Sequence, residues 1–132
     1  RRGDAFTVLQ GCEYHPVSDF MDKTTCDDVF VMSDDYNILK DLQTNKNIHH
    51  MIPESETGWY AVPGSINNAK DQRVFCVQDQ NTKDKNTIRL LKELYVAAKS
   101  KSFVHTLSNV AAYVKFIHDD PSKCISLQAR TL

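Results

Sequence analysis

The sequence predicts an α+β domain that is mainly β, a small OB-like Greek-key barrel carrying one long amphipathic helix. Three observations lead there. A single long helical pattern runs from Asp84 to Ser102. Short apolar or alternating runs, each bounded by turn residues, lie before it and after it. No repeat, linker or low-complexity stretch divides the 132 residues, so one domain spanning 1–132 is expected.

The helix is predicted from its spacing. Ile88, Leu91, Leu94, Tyr95 and Ala98 fall on one face, and Leu90 and Ala97 widen it. Arg89, Lys92, Glu93, Lys99 and Lys101 cover the rest. Asp84 or Asn86 can cap the first turn, and Lys99 and Lys101 suit the negative C-terminal end. The stripe needs a partner surface, and the strands are expected to supply it.

The strands are taken in chain order. Residues 1–28 carry two cysteines, several acids and one proline, and Arg2-Gly3-Asp4 is a chance tripeptide. Asp28–Ser33 (DVFVMS) is an apolar run bounded by acidic pairs. Asn37–Leu42 reads weakly as strand, Thr44–Asn47 as turn, and Ile48–Ile52 as strand closed by Pro53. Gly58–Val62 (GWYAV) is a strand ended by Pro63-Gly64-Ser65. Arg73–Gln78 alternates, with Val74, Cys76 and Gln78 on one face. After the helix, Phe103–Leu107 and Val110–Ile117 read as strands, His118 to Pro121 as a turn, and Cys124–Ala129 as the last strand.

Composition narrows the class. Apolar residues make up 41% and charged residues 25%, ordinary for a globular domain. A net charge of −1 gives no general pull toward nucleic acid or membrane, so no nucleic-acid partner is expected. No run approaches the ~18 apolar residues of a membrane span. The chain opens RRGDAF without methionine, as a processed product would.

The four cysteines, Cys12, Cys26, Cys76 and Cys124, form no CxxC pair. Their even number and wide spacing favour two disulfides in an oxidising compartment, with the pairing open. The alternative is four buried thiols. The absence of Asn-x-Ser/Thr suits a bacterial exported protein. Localisation is therefore expected to be secreted or periplasmic.

Catalytic patterns are weak. Cys12, His15, Cys26 and one of His49-His50 would make four zinc ligands on paper, but neighbours on a strand point to opposite faces. No metal or cofactor is expected. No Gly-rich turn adjoins a cysteine, phosphate and dinucleotide loops are absent, and the Asp pairs are turn formers first. The protein is not expected to be an enzyme.

Aromatic rings beside hydrogen-bonding side chains suggest sugar binding, because a ring stacks on the apolar face of a sugar while polar groups fix its hydroxyls. Two places combine them. One is Trp59-Tyr60 with the polar loop that holds Asn67 and Asn68. The other is Phe116 with His118 and Asp119.

Several segments resemble one family. Val62-Pro63-Gly64-Ser65 is similar to the strand-to-loop segment of the B subunits of cholera toxin and heat-labile enterotoxins. The run from Ile88 to Ala98 (IRLLKELYVAA), followed by a strand, resembles that family's long helix. Cys12-Glu13-Tyr14-His15 resembles its N-terminal Cys segment, and Phe116–Ala129 its C-terminal hairpin. Phe75-Cys76-Val77 is similar to a strand of the pertussis and subtilase toxin B subunits. Where the family has its second cysteine and its tryptophan, this chain has Val114 and Phe116, and Ala61 replaces an acidic residue.

The resemblance implies a toxin-type virulence factor. Such a subunit would be secreted, recognise cell-surface glycans as a ring-shaped homopentamer, and deliver a separate catalytic A chain. In such a ring the long helix lines a central pore, with Arg89, Lys92 and Lys99 as the lining candidates. The alternative is a monomeric exported domain that binds a small apolar ligand or inhibits an enzyme.

Overall fold

In the computed structural model the chain makes two short parallel crossovers, and the expected barrel is not formed. The structure describes residues 15–33, 38–52, 58–59, 62–63, 80–106 and 108–127. About half of these are helical, and the strands pair as three separate two-stranded sheets. The mainly-β OB-like barrel is therefore corrected to a mixed α and β architecture.

The first unit begins with helix α1 (Val17–Asp22). Pro16 precedes it with extended backbone and accepts from the Asp19 amide. Asp19 sits in the positive first turn, where a carboxylate is favoured, and accepts from or pairs with His15 at 3.1 Å. Thr24 closes the helix by donating its hydroxyl to the Phe20 carbonyl. Strand β1 (Asp28–Val31) then runs parallel to β2 (Asn47–His50), with Asp28 opposite Asn47 and Val31 opposite His50. Parallel neighbours need a crossover, and Met32 to Lys46 supplies it through the one-turn helix α2 (Ile38–Asp41). Asn37–Leu42, expected as strand, thus holds a helical turn. Val17, Ile38 and Ile52 form the buried centre here, with Met21, Val31, Leu39 and Leu42 around them.

Strands β3 (Gly58–Trp59) and β4 (Val62–Pro63) pair antiparallel with each other, Trp59 opposite Val62. The expected single strand over 58–62 is therefore two.

The second unit holds the long helix, α3 (Gln80–Lys99). It starts earlier than its apolar pattern does. Asp84, expected as a cap, lies inside it and accepts from the Gln80 side chain at 2.7 Å. Its buried line is Leu94, Ala97 and Ala98, with Leu90 partly covered. Ile88, Leu91 and Tyr95, expected in the buried stripe, face outward. The inner side instead carries Glu93, buried, and Arg89, whose Nε lies 3.9 Å from Glu93 Oε1.

Strand β5 (Phe103–His105) follows, then helix α4 (Asn109–Ile117) and a 3-10 turn (Pro121–Lys123), and β6 (Cys124–Ser126) returns parallel to β5. The expected strand over 110–117 is this helix. Ser108 starts it, its hydroxyl oxygen accepting from the Ala111 amide at 3.0 Å. Val110, Ala111 and Val114 then meet the core at helical spacing, and Val114 is fully buried. The core joins both units, since Met32 and Phe30 of the first crossover pack with Leu94, Ala97, Phe103 and Val114 of the second.

Candidate functional site

Between β1 and β5, which do not pair with each other, runs a groove with a cavity volume of about 700 Å³. One wall is α1, through Val17, Phe20 and Met21. Val29 and Val31 of β1, with Ile38 and Leu42, make the floor. The far wall is the end of α3, through Val96 and Ala97, and the start of β5, through Phe103 and Val104. These apolar side chains come from strand and helix faces whose other neighbours are already in the core. The groove is thus an extension of the core left open at one side.

The rim is polar. Thr24 to Asp28 form one lip, and Ser100, Lys101 and Ser102 the other. The Cys26 carbonyl is fixed by the Lys46 ammonium, which donates at 2.7 Å. Asp28 is held below the ordinary carboxylate range, first by the hydrogen bond with His49 at 3.1 Å and then by that from Asn47 at 3.2 Å. One lip therefore carries the fixed negative charge of Asp28, and the other carries Lys101, exposed and without an acidic partner among the described residues.

A Ser–His contact adjoins the groove, with His118 Nε2 3.4 Å from Ser100 Oγ. Its polarity is wrong for nucleophilic catalysis. His118 Nδ1 accepts the Asp120 amide at 2.9 Å, so the ring proton is on Nε2 and points at the serine oxygen. The Ser100 hydroxyl donates to the Ala97 carbonyl at 2.7 Å. The pair closes the end of α3, and a base needs its free lone pair where His118 has a proton.

Cys124 offers no reactive thiol either. Burial pushes it above the usual thiol range, and a nucleophile needs the opposite shift. Burial likewise holds His105 below the usual imidazole range, although its Nδ1 meets the Thr106 carbonyl at 3.0 Å. Its ring stacks on Phe103 at 5.2 Å. Among the described residues no three His, Cys, Asp or Glu side chains converge on a metal position.

No family model, no curated protein and no solved structure matches this chain.

Of the sugar-binding candidates, the structure describes Phe116, His118, Asp119 and the backbone of Trp59. Phe116 is 85% exposed on the outer side of α4. His118 is buried against Ser100, and Asp119 is bound to Lys99 at 2.8 Å, so both serve the joint between α3 and α4. Trp59 has its backbone in β3. Tyr60, Asn67 and Asn68 lie outside the described residues, as do Cys12 and Cys76. Cys26 and Cys124 carry free thiols, so the expected disulfides are not closed at either position.

Of the three pore-lining candidates, Lys92 and Lys99 are exposed on one side of α3. Arg89 is half-buried beside Glu93, Lys99 is held by Asp119, and Lys92 has no acidic partner among the described residues. The groove residues escaped the sequence reading. Their traces there are the apolar runs over 28–33 and 103–107, which read equally well as ordinary core.

Proposed function

We propose that this domain binds a small amphipathic ligand in the groove between β1 and β5. The carrying observation is the groove itself: its volume of about 700 Å³ is that of a small-molecule site, and its apolar floor lies under a polar rim. The apolar body of the ligand lies on Val29, Val31, Ile38 and Phe103. Its polar or anionic head meets Ser100 to Ser102 and the Lys101 ammonium. This reading departs from the glycan-binding ring that the sequence resemblance implies, because the described strands pair as three separate sheets and not as a barrel.

Titration with a medium-chain fatty acid, followed by calorimetry, tests it. Saturable binding is expected, and Val31→Trp, which fills the groove, should weaken it at least tenfold. Phe116→Ala, remote from the groove, should leave it unchanged. Absence of saturable binding, or equal affinity in a folded Val31→Trp protein, overturns the reading.

A further inference from the structure

The outer faces of α3 and α4 both carry large exposed apolar side chains. The two helices pack on each other, and both turn their inner residues, Leu90, Leu94 and Ala97 from α3 and Val110, Ala111 and Val114 from α4, into the same cluster. Their outer faces therefore both point away from that cluster. No described residue covers the apolar side chains there. Ile88, Leu91 and Tyr95 stand at i, i+3 and i+7 on α3, each more than half exposed, and Tyr113 and Phe116 stand at i and i+3 on α4. Scattered exposed apolar residues are normal, but five on two adjacent helix faces mark a contact surface.

Charge says what kind of contact. Lys85, Lys92 and Lys99 recur every seventh residue and so border the apolar row of α3 along its length. Lys99 is engaged by Asp119, whereas Lys85 and Lys92 are exposed and have no acidic partner among the described residues. Lys115 adds an exposed cation on α4, more than a quarter-turn round from Phe116. The described acidic groups on or beside these helices are Asp84, which accepts from Gln80, Glu93, buried on the inner side, Asp119 itself and Asp120, which accepts from Ser122. From residue 80 to 127 there are eight Lys and Arg against four Asp and Glu, a net +4, although the whole chain is −1. These apolar faces therefore lie in a basic stretch of an otherwise acidic chain.

We propose that these faces dock peripherally on an anionic membrane surface. Ile88, Leu91 and Phe116 enter the boundary between headgroups and acyl chains. Tyr95 and Tyr113 sit at headgroup level with their hydroxyls in water. Lys85, Lys92 and Lys115 lay their aliphatic stems beside them and meet lipid phosphates or carboxylates. No helix among the described residues is long and apolar enough to cross a membrane, so the contact lies in the interface plane. This inference does not depend on the ligand groove, which opens between other elements.

Vesicle flotation tests it, with phosphatidylcholine alone and with phosphatidylcholine containing phosphatidylserine. The protein should float with the anionic vesicles and stay behind with the neutral ones. Lys85→Glu with Lys92→Glu should lower the partition coefficient at least tenfold, and so should Phe116→Asp, both with an unchanged thermal midpoint. Equal flotation with both vesicles, or none with either, overturns the proposal. So does undiminished flotation in both variants. A dimer seen by sedimentation equilibrium that Phe116→Asp dissociates, in a protein that ignores vesicles, assigns the face to a second copy of this chain instead.

Discussion

Lys99 and Asp119 bind the last turn of one helix to the residue just beyond another. The ammonium donates to both carboxylate oxygens, at 2.8 and 3.1 Å, while the Asp119 amide donates to the Ala98 carbonyl at 3.2 Å. The first contact is electrostatic and exposed; the second satisfies a helix-end carbonyl that would otherwise lack a partner. Asp119→Ala removes only the first. A small fall in thermal midpoint is expected, and salt at ~1 M should erase the difference from the parent protein, because screening shortens to about 3 Å there. Denaturation at low and high salt checks this; a large, salt-independent loss would show that the side chain does more than pair with Lys99.

The two faces of α4 give opposite responses to truncation. Val114→Ala empties a fully buried position and should cost about 2 kcal/mol, while Phe116→Ala, two residues on, should stay within about 0.5 kcal/mol. In a strand these side chains would share a face and respond alike. Urea denaturation of the two variants checks the register directly.

Stability should depend on pH through His105. Its folded pKa lies below the ordinary 6.5 because the ring is buried. Between the two values the unfolded chain holds the extra proton, so stability rises with pH across that window. The contribution is complete above about 6.5 and is lost as pH falls from there toward the folded value. His105→Gln should flatten the urea midpoint over that interval. The depressed carboxyls of Asp28 and Asp120 act lower, around and below the carboxylate range, and leave the His105 window clear. A variant with the parent's slope would exclude His105 as the source.

Cys26 and Cys124 should both alkylate without reduction, and peptide mass spectrometry identifies each site. In the native protein Cys124 should react more slowly at neutral pH, since burial raises its thiol and lowers the thiolate fraction. A disulfide-linked peptide containing either residue would contradict the structure.

The long helix was legible in its periodicity, and its start was not, because Gln80 to Lys83 carry no apolar side chains to extend the pattern. Helix α4 was misread for a physical reason. Val110, Val114 and Ile117 are β-branched and Tyr113 and Phe116 aromatic, so local preference favours a strand. The Ser108 cap and the packing of Ala111 and Val114 decide otherwise. Strand β1 and the onset of β5 were readable from short apolar runs. The groove was not, because it arises from how the two crossovers sit side by side. His118 and Asp119 looked like ligand groups because a turn and a binding loop use the same polar residues; only burial and partners separate them.

The two parallel crossovers also set an order of assembly. Each brings together residues about twenty apart, Asp28 with Asn47 and Phe103 with Cys124. Closing a loop of that length costs about 2.7 kcal/mol in its length-dependent part, nearly the same for both. Chain entropy therefore does not choose between them, and the connecting helix does. In the first crossover it is the single turn Ile38–Asp41; in the second it is the capped helix Asn109–Ile117, already leaning on α3. The second crossover is expected to form in the folding transition state and the first to condense onto it. Folding and unfolding rates should then give Val114→Ala a high φ-value and Ile38→Ala a low one. The reverse order would mean that α1 and its cluster nucleate the fold.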